Sequence, residues 1–421
     1  MAKSLRFIHC ADLHLGSPFQ DIQITDERWK RIVGRAPLRA FQKIVQIAIE
    51  KQVHAVLIAG DVYTSLTHNL TAQLDYARLL HRLAQKGIQV FAVHGNHDPL
   101  DAWKARIPLP PNVHVFSSAK VERIPLVVQG EEIAEIYGRS YAHSEERENL
   151  AWQFNRQAED RYAIGLLHTQ VGSDESPYAP CTINDLKESA MDYWALGHVH
   201  GHRILNEKPL IVYAGDPQGL DRTETGPRGC YYVEVGPYGT ATATFIDTSI
   251  VRWENVAIPI DTIDSISRLR EAVRLEKEKI RRDIKKPVFL SVDFTGSGSM
   301  YHVINNEEAV QYWLDSWREE EEGKYAFVMV GRIRNLARPK ANFEERSQLP
   351  DTVGDFLCVA DRLDDLPYDE KLQALREMLE RRPEYDRLGA YGKKISDERI
   401  LEAFKRAKWL GVERLMENKR G

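Results

Sequence analysis

The chain is poor in cysteine. Its 421 residues include only Cys10, Cys181, Cys230 and Cys358, and no two form a CxxC pair. That scarcity excludes a disulfide framework and reads as reduced thiols in a cytoplasmic protein. Long apolar runs are missing too. No stretch approaches the roughly 20 residues that cross a bilayer, so no membrane span is expected. The opening MAKSLRFIHCADLHLG lacks a signal-peptide layout, because its first apolar run leads straight into charged chemistry. Nor is there an excess of positive charge. Lys and Arg number 57 against 62 Asp and Glu, a net charge of −5. This gives no global electrostatic footprint for nucleic acid and counts against a pure DNA-binding module. It does not count against an enzyme whose acidic ligands acquire the opposite local sign when cations bind.

Hydrophobic residues make up 43% of the chain and charged residues 28%, the balance of a soluble globular protein. The length exceeds one ordinary core and suggests two or three domains. Short apolar runs at 5–11, 54–59 and 88–93 read as strands. The segments 26–51 and 70–86 between them have helical spacing, as in Leu38, Phe41, Ile44, Val45 and Ala48. Such βαβαβ alternation predicts an α/β fold with a mainly parallel sheet. Further strands are expected at 113–116, 133–137, 162–168, 193–197, 210–214 and 230–235, with fewer helices between them, as in a second, mixed sheet.

The pattern changes after about residue 250. A charged helix at 264–286 ends before Pro287, followed by a strand at 288–294, a helix at 306–319 and a strand at 325–330. These form a small α/β unit. From about 344 the chain is helical and highly charged. One amphipathic stripe has Leu372, Leu375, Met378 and Leu379, and another Ile400, Leu401, Phe404 and Ala407. The expected division is 1–250, 251–343 and 344–421.

Five clusters carry the chemistry: Asp12-Leu13-His14, Gly60-Asp61, Gly95-Asn96-His97-Asp98, His168, and Gly197-His198-Val199-His200. Each follows a predicted strand. Ligands of open α/β sheets collect at the carboxyl ends of strands, and a dinuclear metal site needs many oxygen and nitrogen donors, one of them shared. In D-x-H and H-x-H, alternate residues of an extended segment point the same way. Glycines 60, 95 and 197 permit tight turns before the donors. Any one cluster could be a capping pair or a turn, and a strand-end His168 could simply be packed; their common order is what points to metal. His9 and Cys10 are expected to pack inside. His94 and His202 could line the cleft or be structural.

The ordered set D-x-H, GD, GNHD, H, GHxH resembles the signature of calcineurin-like metallophosphoesterases. With HCADLHLG and YAGDPQG (213–219), it resembles the SbcD-type DNA-repair exonucleases, in particular their YhaO-like branch. The motifs span residues 9 to about 219. The resemblance implies a four-layer α/β/β/α sandwich of two mixed sheets, a small α/β cap and a helical C-terminal tail. It implies one metal held by Asp12, His14, Asp61 and His200 and a second by Asp61, Asn96, His168 and His198, with Asp61 bridging. His97 would be the catalytic histidine that is not a ligand, and Asp98 would orient it. Manganese, a homodimer and an SbcC-like coiled-coil ATPase partner are implied as well. In one departure, Thr64 stands where such relatives usually carry Asp or His three residues after the GD. A hydroxyl cannot take over acid–base work near pH 7.

The expected function is therefore metal-dependent DNA phosphodiester hydrolysis. A small-molecule phosphodiesterase or phosphatase of the same class is the alternative, and a scaffold that kept the fold without activity a third. The 170 or so residues beyond the catalytic core favour the first, and the complete donor set opposes the third. Two basic stretches could meet phosphates: Arg268, Arg270, Arg274, Lys277, Lys279, Arg281, Arg282, Lys285 and Lys286, and then Arg332, Arg334, Arg338 and Lys340. Glu271, Glu276 and Glu278 interleave with the first, as they would on a solvated helix face. The C-terminal stripes could dock a partner helix or pack on the protein's own core.

Overall fold

A computed structural model describes all residues except 1–3, 20–26, 65–68, 103–106, 158–160, 173–174, 340–349, 383–384, 386–394 and 418–421. Lys340 and the start of the expected tail at 344 therefore lie outside the described residues. The chain divides into two compact units. The first comprises 1–255, 280–291 and 318–331, and the second 256–279, 292–317 and 332–421.

The first unit is built on two six-stranded sheets. One contains β1 (Leu5–Cys10), β2 (Ala55–Ala59), β3 (Gln89–Val93), β4 (Val113–Val115), β11 (Gly229–Val235) and β12 (Ala241–Asp247), ordered β12-β11-β1-β2-β3-β4. β1 to β4 run parallel, while β11 joins β1 antiparallel with Leu5 opposite Val235. The other contains β5 (Glu122–Val128), β6 (Glu131–Gly138), β7 (Tyr162–His168), β8 (Tyr193–Gly197), β9 (Arg203–Glu207) and β10 (Leu210–Tyr213), ordered β5-β6-β7-β8-β10-β9. Its centre is parallel and its two edges antiparallel. Both sheets are mixed.

Side-chain alternation along each strand determines the layers. Phe7, Leu57, Phe91 and Val93 meet Ile136, Ile164, Leu166, Tyr193 and Val212 in the core between the sheets. Ile8, Val56, Ile58 and Val90 face the other way. They pack under α1 (Ala36–Glu50) and α2 (Leu70–Ala84), through Phe41, Ile44, Val45, Leu80 and Leu83. The far face of the second sheet is covered by Leu150 and Leu186 from short helical segments at 150–153 and 183–188, and by Phe154 just after the first. The result is the expected α/β/β/α sandwich.

The first helical segment is two helices rather than one. A break at Arg35, with φ −113° and ψ 4°, separates Glu27–Gly34 from α1. Pro37 lies in the first turn of α1, where its missing N–H costs nothing; further inside a continuous helix it would clash with the preceding turn. Asn69 caps α2, its side chain accepting from the Ala72 amide at 3.0 Å. Within the two six-stranded sheets three strands went unforeseen, β5, β9 and β12, and all three are sheet edges. Edge strands show water one side and need no continuous apolar run, and β5 even carries Pro125.

In the second unit, helices Thr352–Asp364, Tyr368–Glu380 and Asp397–Glu417 include a small cluster around Val353, Leu357 and Val412. Leu375 and Ile400 of the two stripes are buried, whereas Met378 is exposed. No helix among the described residues is long and apolar enough to cross a membrane.

Candidate metal centre

All five clusters meet at the carboxyl ends of strands: Asp12 and His14 after β1, Asp61 after β2, Asn96 to Asp98 after β3, His168 at the end of β7, and His198 and His200 after β8. The first three come from one sheet and the last two from the other. Asp12, Asp61 and His168 are almost fully buried, His14 nearly so, and Asn96, His198 and His200 half-buried.

The backbone is bent to bring them there. Asp12, His14, Asp61 and His198 all have positive φ (49°, 41°, 51° and 101°). Non-glycine residues adopt this region rarely and at a cost, and such strain concentrates at functional sites. It is held by backbone hydrogen bonds between the loops, from Asp12 N to Gly60 O and from His14 N to Asp61 O, each 3.0 Å. Of the three glycines, Gly60 takes positive φ (94°). Gly95 and Gly197 serve instead by close approach. A Cβ on Gly95 would strike Asp61 and His168, and one on Gly197 would strike the Ala59 carbonyl of the facing sheet.

The donors form two overlapping groups. Ligand atoms of Asp12, His14 and His200 lie within 4.8 Å of one another, and so do those of Asp12, Asp61 and His168. His168 Nε2 is 3.4 Å from Asp61 Oδ2 and 2.9 Å from Asn96 Oδ1. The same Asn96 oxygen is 3.2 Å from His198 Nδ1. The His198 amide donates to both Asp12 oxygens at 3.2 Å. His168 Nδ1 meets the Ala59 carbonyl at 2.9 Å, an acceptor that puts the ring proton on Nδ1 and leaves Nε2 as the electron-pair donor.

Burial pushes the Asp12 carboxyl up to about 6 and that of Asp61 well above the usual range. It drives His14 and His198 down to about 3, helped by the neighbouring imidazoles, and lowers His168. Neutral imidazoles are the form that ligates divalent cations, and a cation would offset the cost of ionising the buried carboxyls. The donor set thus fits divalent metal.

His97 is the exposed member. Its ring centroid lies 5.1 Å from that of His14, and its amide donates to Asp61 Oδ1 at 2.9 Å. Asp98 is buried and accepts from the amides of Gly95 and Val62, each at 3.0 Å, with His94 Nδ1 3.1 Å away. Through these contacts it ties the GNHD loop to the loop after β2. Thr64 Oγ1 lies 3.4 Å from His14 Nδ1 and 2.5 Å from Ser17 Oγ.

Sequence reasoning missed what stands behind His200. Its Nδ1 bonds Glu224, and its carbonyl accepts from Arg228, which also donates to Asp216. Burial opposes charge on His200, but Glu224 and the nearby carboxylates outweigh it and raise the imidazole to about 10. Asp216 falls in YAGDPQG, a visible signal; Glu224 had none. His9 packs inside as expected, between Tyr193 Oη at 3.0 Å and the Leu196 carbonyl at 3.1 Å. His202 stacks on Phe245, centroids 3.8 Å apart.

The basic stretches are largely committed within the protein. Arg268, Arg274 and Lys279 pair with Asp264, Glu271 and Glu276, Arg281 with Glu321, Lys286 with Asp247, and Arg334 with Asp293 and Glu402. Lys277 is buried.

A two-sheet sandwich with imidazole and carboxylate donors at its strand ends defines a metal-dependent phosphoesterase. Among known proteins, the family model for calcineurin-like phosphoesterases matches residues 5–202. The chain is 32% identical over 405 residues to the uncharacterized metallophosphoesterase YhaO of Bacillus subtilis (strain 168), covering 96% of each chain. It is 25% identical to the DNA double-strand break repair protein Mre11 of Sulfurisphaera tokodaii, covering 68% of this chain and 72% of that one. To the protein of the same name from Haloferax volcanii it is 29% identical, covering 55% and 50%. The chain belongs to the calcineurin-like metallophosphoesterase family.

Proposed function

We propose that this protein is a two-metal nuclease that hydrolyses DNA phosphodiester bonds. The observation that carries the reading is the convergence of seven donor residues from five strand ends, with exposed His97 beside them. In this reading Asp12, His14, Asp61 and His200 hold one ion and Asp61, Asn96, His168 and His198 the other, with Asp61 shared and manganese the native metal. Bound there, two divalent ions supply Lewis-acid polarisation of the phosphoryl group and a nucleophile from water at neutral pH. His97, reachable from solvent, hydrogen-bonds a phosphoryl or leaving oxygen as negative charge builds on it. Its pKa is lowered by partial burial and by the imidazoles of His168 and His200, which keeps the ring neutral until it gains an anionic partner. Asp98 holds the loop from which His97 projects.

DNA as substrate is supported by the likeness to proteins named for double-strand break repair. An SbcC-like ATPase partner, a homodimer and a cytoplasmic location extend the same resemblance. So does the division into a catalytic domain (1–250), a cap (251–343) and a helical, partner-binding region (344–421). The internal pairing of the basic stretches favours a second reading, a metallophosphodiesterase acting on nucleotides or other small esters.

The test is manganese-dependent degradation of end-labelled double-stranded DNA, with His97→Ala alongside. Digestion by the wild type, with turnover about 10²- to 10⁴-fold lower in the variant and metal binding retained, is the expected result. Hydrolysis of a generic phosphodiester without digestion of DNA would favour the second reading. Full activity in His97→Ala would remove His97 from the mechanism.

A further inference from the structure

We propose that Glu224 is a positioning residue that fixes the ring of His200, so that Nε2 presents its electron pair to the same point as the donor atoms of Asp12 and His14. The inference rests on the two-metal reading of the site. His200 Nε2 lies 3.2 Å from His14 Nε2, while Nδ1 on the opposite side of the ring bonds Glu224 Oε1. An ionised carboxylate can only accept, so the proton of a neutral imidazole is held on Nδ1 and Nε2 is left as the donor atom. Without that acceptor, the ring is free to take the other tautomer or flip about its terminal torsion.

Glu224 is itself fixed. It is 8% exposed, and its second oxygen accepts from the Leu220 amide at 2.5 Å. The same segment also grips the His200 backbone. The His200 carbonyl accepts from the Asp216 amide at 3.1 Å and from Arg228, whose Nη1 bonds Asp216 Oδ1 at 2.6 Å. Gly215, at φ 73°, lets the chain pass so close that a Cβ would lie 2.7 Å from the His200 carbonyl oxygen. The stretch from YAGDPQG to Arg228 thus braces one histidine at ring and backbone together. Groups that orient a metal-binding histidine typically change metal affinity about 10- to 100-fold when removed.

One competing role is built from the same atoms. His200, Asp216 and Glu224 also present donors within 4.8 Å of one another, as ligands of a separate ion would. Calorimetric titration with manganese chloride separates the roles, using wild type, Glu224→Ala and Glu224→Gln. The wild type should bind two ions. Glu224→Ala should weaken one site about 10- to 100-fold and leave the other unchanged. Its hydrolysis of bis(p-nitrophenyl) phosphate should need about 10- to 100-fold more manganese to reach half its maximal rate. Glu224→Gln keeps an acceptor oxygen and should recover most of the loss. It also carries the test if the alanine variant does not fold: weakening of both sites alike in Glu224→Gln overturns the inference. Unchanged affinity at both sites in Glu224→Ala overturns it too, with the two-metal reading intact. Loss of a third ion in the variants makes Glu224 a ligand and overturns its positioning role. A wild type that binds fewer than two ions sinks the two-metal reading and the inference with it.

Discussion

His14 and His200 face each other Nε2 to Nε2 at 3.2 Å, although 186 residues separate them in sequence. Two imidazoles that present the same ring atom to one point beside a buried carboxyl are arranged as ligands that share a cation. The buried Asp12 beside them, its pKa raised by burial to about 6, belongs to the same group of donors. The fold therefore concentrates an electrostatic cost that a divalent cation removes.

Because cations bind the folded site and not a matching site in the unfolded chain, manganese at about 100 times its Kd should stabilise the protein by about 2.7 kcal/mol. For a unit of this size that is a rise in Tm of roughly 5–10 °C. Differential scanning calorimetry with manganese, and again after chelation, measures it. Identical melting curves would contradict a metal centre here.

Gly95 and Gly197 should fail in different ways. A methyl group on Gly95 points into Asp61 and His168, atoms of the site itself. Misplacing reacting groups by about 1 Å can cost roughly 10²-fold in rate, so Gly95→Ala should lose activity of that order with little change in unfolding midpoint. A methyl group on Gly197 meets backbone, the Ala59 carbonyl. The sheets would have to separate there, and Gly197→Ala should cost about 1–3 kcal/mol of stability. Urea unfolding and phosphodiesterase assays of both variants check the contrast; matching profiles would refute it.

His9 supplies a pH dependence away from the donors. Burial depresses its pKa to about 3, with the Leu196 carbonyl opposing weakly, against about 6.5 when unfolded. The neutral ring is favoured in the folded state, so below pH 6.5 the unfolded chain binds more protons. The contribution is complete above pH 6.5 and lost as pH falls toward 3, about 2 kcal/mol by pH 5. The stability advantage of wild type over His9→Gln should shrink by that amount between pH 7.5 and 5, as read from urea unfolding. A difference independent of pH would show that His9 titrates normally.

Much of this arrangement was legible in the sequence. The apolar runs of the central strands and the donor clusters that end them are local signals, and β7 and β8 have the bounds read from the chain. The edge strands were not legible, because burial on a single face leaves a short, polar-interrupted pattern such as RILNE. The glycines were assigned to turns, yet Gly95 and Gly197 answer to neighbours more than 30 residues away, which local spacing cannot reveal. Glu224 was invisible for the same reason. Its importance comes from one contact with His200, and nothing in DRTETG announces it.

The pairing of β1 with β11 has a consequence for how the chain is made. Leu5 lies opposite Val235, so β1 leaves the ribosome about 230 residues ahead of this neighbour. At bacterial-scale synthesis rates of 5–20 residues per second, that lead lasts on the order of 10–50 s. During it, one side of β1 has unpaired amides and carbonyls, the kind of edge that recruits stray strands. Until β11 is made, the strand that leads into the first donor cluster keeps this edge open, and pairing with β11 closes it.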